Sequence, residues 1–149
     1  MRAVVQRVKK AEVRVQGQVV GKIGAGLLVL LGIGKEDSLQ EAEWFADKIV
    51  NLRIFDDEQG RMNRSISETR GGLLCVSQFT LYGDCRKGRR PSYDRAAAPA
   101  VARGLYDAFV ASVRARGITV GTGQFQAMME VELVNDGPVT LLLDSERVF

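Results

Sequence analysis

Two short polar stretches hold the groups in this chain best placed to do chemistry. Ser77-Gln78-Phe79-Thr80-Leu81-Tyr82-Gly83-Asp84 sets hydroxyls and an amide at the end of an apolar run. That is a rigid support of the kind on which sites are built. Thr80 is the candidate nucleophile by residue type, but a threonine hydroxyl needs a base to take its proton. The chain contains 0 histidines, which excludes a Ser-His or Cys-His pair and leaves a catalytic zinc site without its usual ligand. Only carboxylates such as Asp84 or Asp136 remain, and they serve only if buried or suitably aimed. No metal or cofactor is expected. Chemistry must come from hydroxyls, carboxylates, backbone groups or groups that a substrate brings.

The second stretch is Asn135-Asp136-Gly137-Pro138-Val139-Thr140. Proline lacks an amide hydrogen and marks an edge, bulge or turn, and Gly-Pro is among the few dipeptides where a cis bond is accessible. Asn-Asp-Gly is turn chemistry, so the local pattern predicts a hairpin joining strands at Met128 to Val134 and Val139 to Leu143. A third feature is the cationic run Arg86-Lys87-Gly88-Arg89-Arg90. It reads equally as a solvated loop or as a phosphate-binding surface for nucleic acid.

The elements that must position these groups read as α+β. Ala3 to Val8, Ala11 to Val15, Gln18 to Ile23 and Gly26 to Ile33 are short apolar runs split by Lys9-Lys10, Gly17 and Gly24-Ala25, which suits a meander of hairpins. The glycines at 21, 24 and 26 do not form a phosphate loop, because Gly34-Lys35 is followed by Glu36 rather than Ser or Thr. Ser38 to Glu41 is a capping box opening a helix through Trp44, Phe45, Ile49 and Leu52, with Trp44 as a core or interface anchor. Asp56 to Gly60 reads as an acidic turn without calcium-loop spacing. Gly72 to Thr80 reads as a buried strand, on which alternation sets Ser77 and Phe79 opposite Gln78 and Thr80. A second helix runs from about Ala97 to Arg116 and stops at Gly117. Strands return from Thr119. The expected architecture is one domain over residues 1–149, an antiparallel or mixed, barrel-like sheet covered by two main helices.

Composition agrees with that. A 149-residue chain, 46% hydrophobic and 26% charged, is long enough for one core and typical of a globular domain. The apolar stretch Leu27 to Leu31 is far too short to span a bilayer, and basic residues interrupt the first turns of any signal sequence, so a cytoplasmic protein without a membrane partner is expected. The 2 cysteines, Cys75 and Cys85, make neither a disulfide framework nor a redox pair. Cys75 lies in an apolar run and reads as a small core residue.

The two motifs together change the reading. Ser77-Gln78-Phe79-Thr80-Leu81 and Asn135 to Thr140, with Gly123-Gln124-Phe125-Gln126-Ala127-Met128-Met129 before the latter and Met1 to Val8 at the start, resemble the D-aminoacyl-tRNA deacylase family over nearly the whole chain. The resemblance implies a homodimer that hydrolyses D-amino acids from mischarged tRNA, and leaves open whether mischarged Gly-tRNA is a further substrate. It implies a cis Gly137-Pro138 bond inserted into the partner subunit's pocket, whose carbonyls accept from the D-aminoacyl amino group and exclude an L side chain. Ser77, Gln78, Phe79 and Thr80 then form the catalytic segment, with backbone amides near Phe79 and Thr80 as oxyanion donors. Arg7 matches the residue that steadies the Gly-Pro motif, and Phe125, Ala127 and Met129 match the pocket wall. The terminal ribose 2′-hydroxyl of the tRNA is implied to assist the reaction. Arg86, Lys87, Arg89 and Arg90 become candidates for the tRNA surface. Gln126 departs from the family, which usually has a small residue there. The alternatives are a non-catalytic RNA-binding dimer on the same scaffold and a small structural β-module.

Overall fold

The computed structural model describes residues 1–148. Its elements run β1 Arg2–Val15, β2 Gln18–Ile23, β3 Gly26–Gly32, α1 Leu39–Val50, β4 Phe55–Asp56, β5 Met62–Arg64, α2 Ile66–Thr69, β6 Gly72–Ser77, a 3-10 turn Phe79–Tyr82, α3 Pro99–Ala115, β7 Val120–Thr122 and β8 Glu130–Asp144.

The first strand is one element of 14 residues, not two. Lys9 and Lys10 are a bulge rather than a turn: both are exposed in succession, and the register against β8 shifts between Val8 and Lys10. Two like-facing residues in a row are the mark of an extra residue in a strand. The break changes which core β1 feeds. Ala3 and Val5 face the core beneath the helices, whereas Val8, Ala11 and Val13 face a second core with Ile23, Leu28, Leu74 and Val76.

The other side of β1 explains why the chain is not a meander. Gln16-Gly17 is a true two-residue hairpin with both φ values positive, 50° and 77°. At Gly24-Ala25 there is only a bend. Residues of β2 pair antiparallel with Ala11 to Val15, and residues of β3 pair antiparallel with Arg2 to Val8. The two are successive lengths of one bent strand laid along one partner. Parallel pairing then carries the sheet from β3 to β6 and from β6 to β7.

The bend at Gly24-Ala25 returns β2 against β7 and nearly closes a mixed barrel. Closure depends on a bare Cα. A Cβ built on Gly21 would lie 2.2 Å from the Thr122 carbonyl oxygen. β8 pairs with β1 along its length and with no other strand among the described residues.

Three helices, not two, accompany the sheet, although α2 is one turn. α1 opens on the expected capping box, with the Glu41 carboxylate accepting from the Ser38 amide at 2.9 Å and from its hydroxyl. α2 repeats the device with Ser65 and Glu68, where the Ser65 amide donates at 2.6 Å. Both carboxylates are held below their ordinary pKa, first by the Ser38 hydroxyl for Glu41 and first by the Ser65 amide for Glu68. α1 and α3 bury Phe45, Ile49, Phe109 and Val113 over Leu27, Val29 and Leu73. Trp44 is not in that core; it is 42% exposed and stacks on Phe45. Asp57 organises the acidic turn, accepting from the Gln59 and Arg61 amides at 2.9 and 3.0 Å. Cys75 is a buried free thiol, which burial pushes up to about 12, and Cys85 is exposed. No described helix is long and apolar enough to cross a membrane.

A Gly21→Ala substitution is expected to separate β2 from β7 and destabilise the fold by about 1–3 kcal/mol, read as a lower urea midpoint. An unchanged midpoint would show that the seam does not bear on stability.

Candidate active site

The 3-10 turn begins where β6 ends. β6 delivers Ser77 beside Leu31 of β3, and the Gln78 amide donates to the Leu31 carbonyl at 2.8 Å. Gln78 then leaves strand geometry (φ −143°, ψ 76°) and the chain turns through Phe79 to Tyr82. The expected alternation of faces therefore stops at Ser77. The Gln78 side-chain amide donates to the Thr80 hydroxyl, bringing together two groups adjacent on one strand face in the extended reading. Phe79 and Thr80 are the first two residues of the turn, whose N–H groups have no acceptor inside it. Phe79 is 58% exposed.

No base accompanies this segment. An amide has no basicity in either orientation. Asp84 is occupied: the Arg86 Nε donates to both of its oxygens at 2.9 and 3.0 Å, and the Arg86 amide adds a bond at 3.0 Å. Those bonds, led by the guanidinium, hold its carboxyl well below the usual carboxylate range. A carboxylate so stabilised is a weak proton acceptor. Asp136 faces Arg7, 3.5 Å from its Nε.

Arg7 is the only arginine among the buried residues of the described chain, 8% exposed. Its Nη1 donates to the Ile54 carbonyl at 2.7 Å and to Asp56 at 3.3 Å, and its Nε donates to the Asp136 carbonyl at 3.2 Å. A guanidinium has the fixed fork of donors that such a three-way clamp needs. It ties β1, the segment after α1 and the Gly-Pro stretch together.

The Gly-Pro stretch is not a hairpin turn. β8 runs unbroken through it, the register against β1 shifting between Gln6 and Val8. The Gly137-Pro138 bond is cis. Asn135 fills the gap that the bulge leaves, its Nδ2 donating to the carbonyls of Arg7 and Val139 at 3.0 Å each. Gly137 has φ 123°, and a Cβ there would meet Val139 Cγ2 at 2.9 Å and Arg7 Nη2 at 3.0 Å. Gly137 and Pro138 themselves are exposed.

Within one chain the two motifs are not neighbours. Ser77 lies level with Leu31, Ala3 and Leu143, while Gly137-Pro138 lies level with Arg7. The offset is three strand spacings, about 14 Å across the sheet, and four residues, about 13 Å, along it.

The segment from 123 to 129 leads from β7 to β8. Phe125 packs against Tyr106 with centroids 5.9 Å apart and lies beneath the Arg103 guanidinium at 5.5 Å. It lines a cleft of about 250 Å³ with Arg103, Tyr106 and Gly123. Met129 packs against the second core, Ala127 is half-buried, and Met128 is 91% exposed. Gln126 is exposed with φ 63°, a left-handed conformation that glycine, lacking a Cβ, adopts more cheaply. Sequence reasoning gave no role to Asn135 or to the Ile54 carbonyl. Asparagine within a Gly-Pro motif was the available signal for the first, and no local signal marks the second.

Comparison with known proteins shows the family of the chain. The family model described as D-Tyr-tRNA(Tyr) deacylase matches residues 4–144. The chain belongs to that family. It is therefore a hydrolase of the deacylase kind. It is 61% identical over 149 residues to the D-aminoacyl-tRNA deacylases of Thermosipho africanus (strain TCF52B) and of Desulforamulus reducens (strain ATCC BAA-1160 / DSM 100696 / MI-1), covering 100% of each. Among solved structures it is similar to a c-Myc DNA unwinding element binding protein, with TM-score 0.91 and 42% identity over 97% of this chain and 99% of that one. A probable eukaryotic D-amino acid tRNA deacylase shares the fold at TM-score 0.83 and 20% identity, covering 95% and 97% of the two chains.

Truncation of Arg7 to Ala strands the Ile54 and Asp136 carbonyls and two carboxylates, and is expected to cost about 2–4 kcal/mol in unfolding free energy. Lysine should restore less than half of that, because one ammonium cannot reach all three elements. Equal stability of Arg7→Lys and the unaltered protein in urea titration would refute the clamp.

Proposed function

We propose that the protein hydrolyses the ester joining a D-amino acid to the terminal ribose of tRNA, and that the RNA supplies the group that replaces the missing base. The observation that carries this reading is the environment of Thr80: its hydroxyl accepts from Gln78 while Asp84 is held by Arg86. A threonine nucleophile would have nothing to take its proton. The 2′-hydroxyl adjacent to the ester bond is the nearest group that a substrate could bring. On this reading the Phe79 and Thr80 amides receive the developing oxyanion, with Ser77 and Gln78 shaping the pocket.

Chirality is read by Gly137-Pro138 of a second copy. Two observations support this arrangement. The motif is exposed and far from Ser77 to Thr80 along its own sheet, and β8 offers a 15-residue strand with an open edge and exposed Val134 and Leu142. Such an edge invites a partner. A main-chain gate of this kind works by rejecting the L side chain. Glycine has no side chain to reject, so Gly-tRNA passes the same gate. Phe125, Ala127 and Met129 belong to the wall on the other side of the substrate, and the cationic loop from Arg86 to Arg90 faces the RNA.

Substrate ending in 2′-deoxyadenosine is expected to be cleaved at least 100-fold more slowly, whereas Thr80→Val should keep kcat within about ten-fold, each ten-fold step being about 1.4 kcal/mol of barrier. Undiminished cleavage of the deoxy substrate with a dead Thr80→Val would instead make Thr80 the nucleophile. Side by side, D-tyrosyl and glycyl esters should turn over and the L-tyrosyl ester should not. Equal rates for both hands would sink the gate, and release of no amino acid at all would leave only an RNA-binding dimer.

A further inference from the structure

Next to the catalytic segment, at the neck of the basic loop, stands Tyr93, a residue that none of the roles above uses. The basic loop is closed at its neck by two reciprocal backbone bonds, Asp84 amide to Ser92 carbonyl at 2.8 Å and Ser92 amide to Asp84 carbonyl at 3.0 Å. Closure sets Tyr93 directly against the 3-10 turn. Its ring meets Phe79 edge-on with centroids 5.1 Å apart and packs over the bare Cα of Gly83. The Tyr93 carbonyl accepts from the Ala96 amide at 3.0 Å, and neighbouring Arg95 and Ala97 bond to Lys35 and Ile33 just beyond β3. The ring is thus held on a fixed backbone, yet Tyr93 remains 38% exposed.

The charges on the loop that ends beside it are not equivalent. Arg86 is neutralised by Asp84, whereas Lys87, Arg89 and Arg90 are exposed and have no ion-pair partner among the described residues. An exposed aromatic ring beside unpaired cations is what single-stranded nucleic acid binds: bases stack on the ring and phosphates meet the cations. A double helix would hide its base faces, so the occupant is an unpaired strand.

We propose that Tyr93, backed by Phe79, is a stacking platform for an unpaired nucleobase of the RNA's 3′ strand, one that precedes the esterified nucleoside, and that Lys87, Arg89 and Arg90 take the flanking phosphates. The proposal rests on the deacylase reading for its substrate. It adds a residue that fixes how the strand enters the site. Because the platform is pre-formed, little ordering opposes binding there.

The test compares D-tyrosyl-adenosine with a D-tyrosylated single-stranded trinucleotide ending in the same adenosine, in the full-length protein. The two added nucleotides should lower KM about ten-fold or more, in keeping with stacking of a base on an aromatic ring. Tyr93→Leu should abolish that gain and leave kcat and KM on D-tyrosyl-adenosine unchanged. Tyr93→Phe should keep the gain, and Tyr93→Trp should enlarge it, so the outcome does not hang on one variant. Calorimetric titration with the uncharged trinucleotide, free of any turnover, should show the same order of affinities. A full gain in Tyr93→Leu, or an equal loss on the adenosine ester, would overturn the platform. Absence of turnover by the unaltered protein, with the trinucleotide still bound through Tyr93, would count against the deacylase reading and support the platform alone.

Discussion

Arg7 carries a permanent positive charge on a side chain that is almost wholly withdrawn from water, and the surrounding chain is arranged to satisfy it. Two main-chain carbonyls and two carboxylates, from the Ile54–Asp56 segment and from Asp136 of β8, converge on the guanidinium that β1 carries. A charge left unpaired at that depth would cost several kcal/mol. The arrangement that satisfies it also fixes the bulge in β8, because the Asp136 carbonyl can reach the guanidinium only where the strand departs from regular pairing with β1. Asn135 completes the bulge by bonding carbonyls on both sides of it. The exposed Gly137-Pro138 pair is therefore held from beneath by a network that involves none of its own side-chain atoms.

That network also explains what was and was not readable along the chain. The helices were legible because their signals are local: Ser38 with Glu41, apolar residues at helical spacing, and Gly117 after the last turn. The local pattern of Lys9-Lys10 and of Asn135 to Thr140 suggests a turn in both for a common reason, although the cis Gly137-Pro138 bond implied by the family resemblance is present. A bulge and a turn use similar residues, and what separates them is whether the chain continues beside the same partner. For both segments that partner is distant in sequence, β1 and β8 being each other's neighbour. Gly24-Ala25 posed the same ambiguity, and the pairing of β2 and β3 with one strand resolves it as a bend.

The site shows a similar division. Ser77 to Thr80 could be found from residue type at a strand end, but the 3-10 turn that begins at Gln78 and joins it to Thr80 left no mark in the pattern. The cationic run was visible; the neutralisation of Arg86 by Asp84 and the placement of Tyr93 were not, since both follow from closure of the loop at Ser92. A chain without histidine restricts chemistry to what backbone, amide and substrate can supply, and that restriction was plain from composition alone.

The pairing of β1 with β8 has a consequence for how the molecule comes to be. Arg2 and Asp144 are 142 residues apart, yet they face each other across one ladder. Local turns can form early, but this ladder has to close a very long loop, and contacts of such high sequence separation slow folding. During synthesis, β1 stands with the edge that faces β8 unpaired until β8 has been made. Vulnerability to aggregation is therefore greatest in the nascent chain, before β8 arrives.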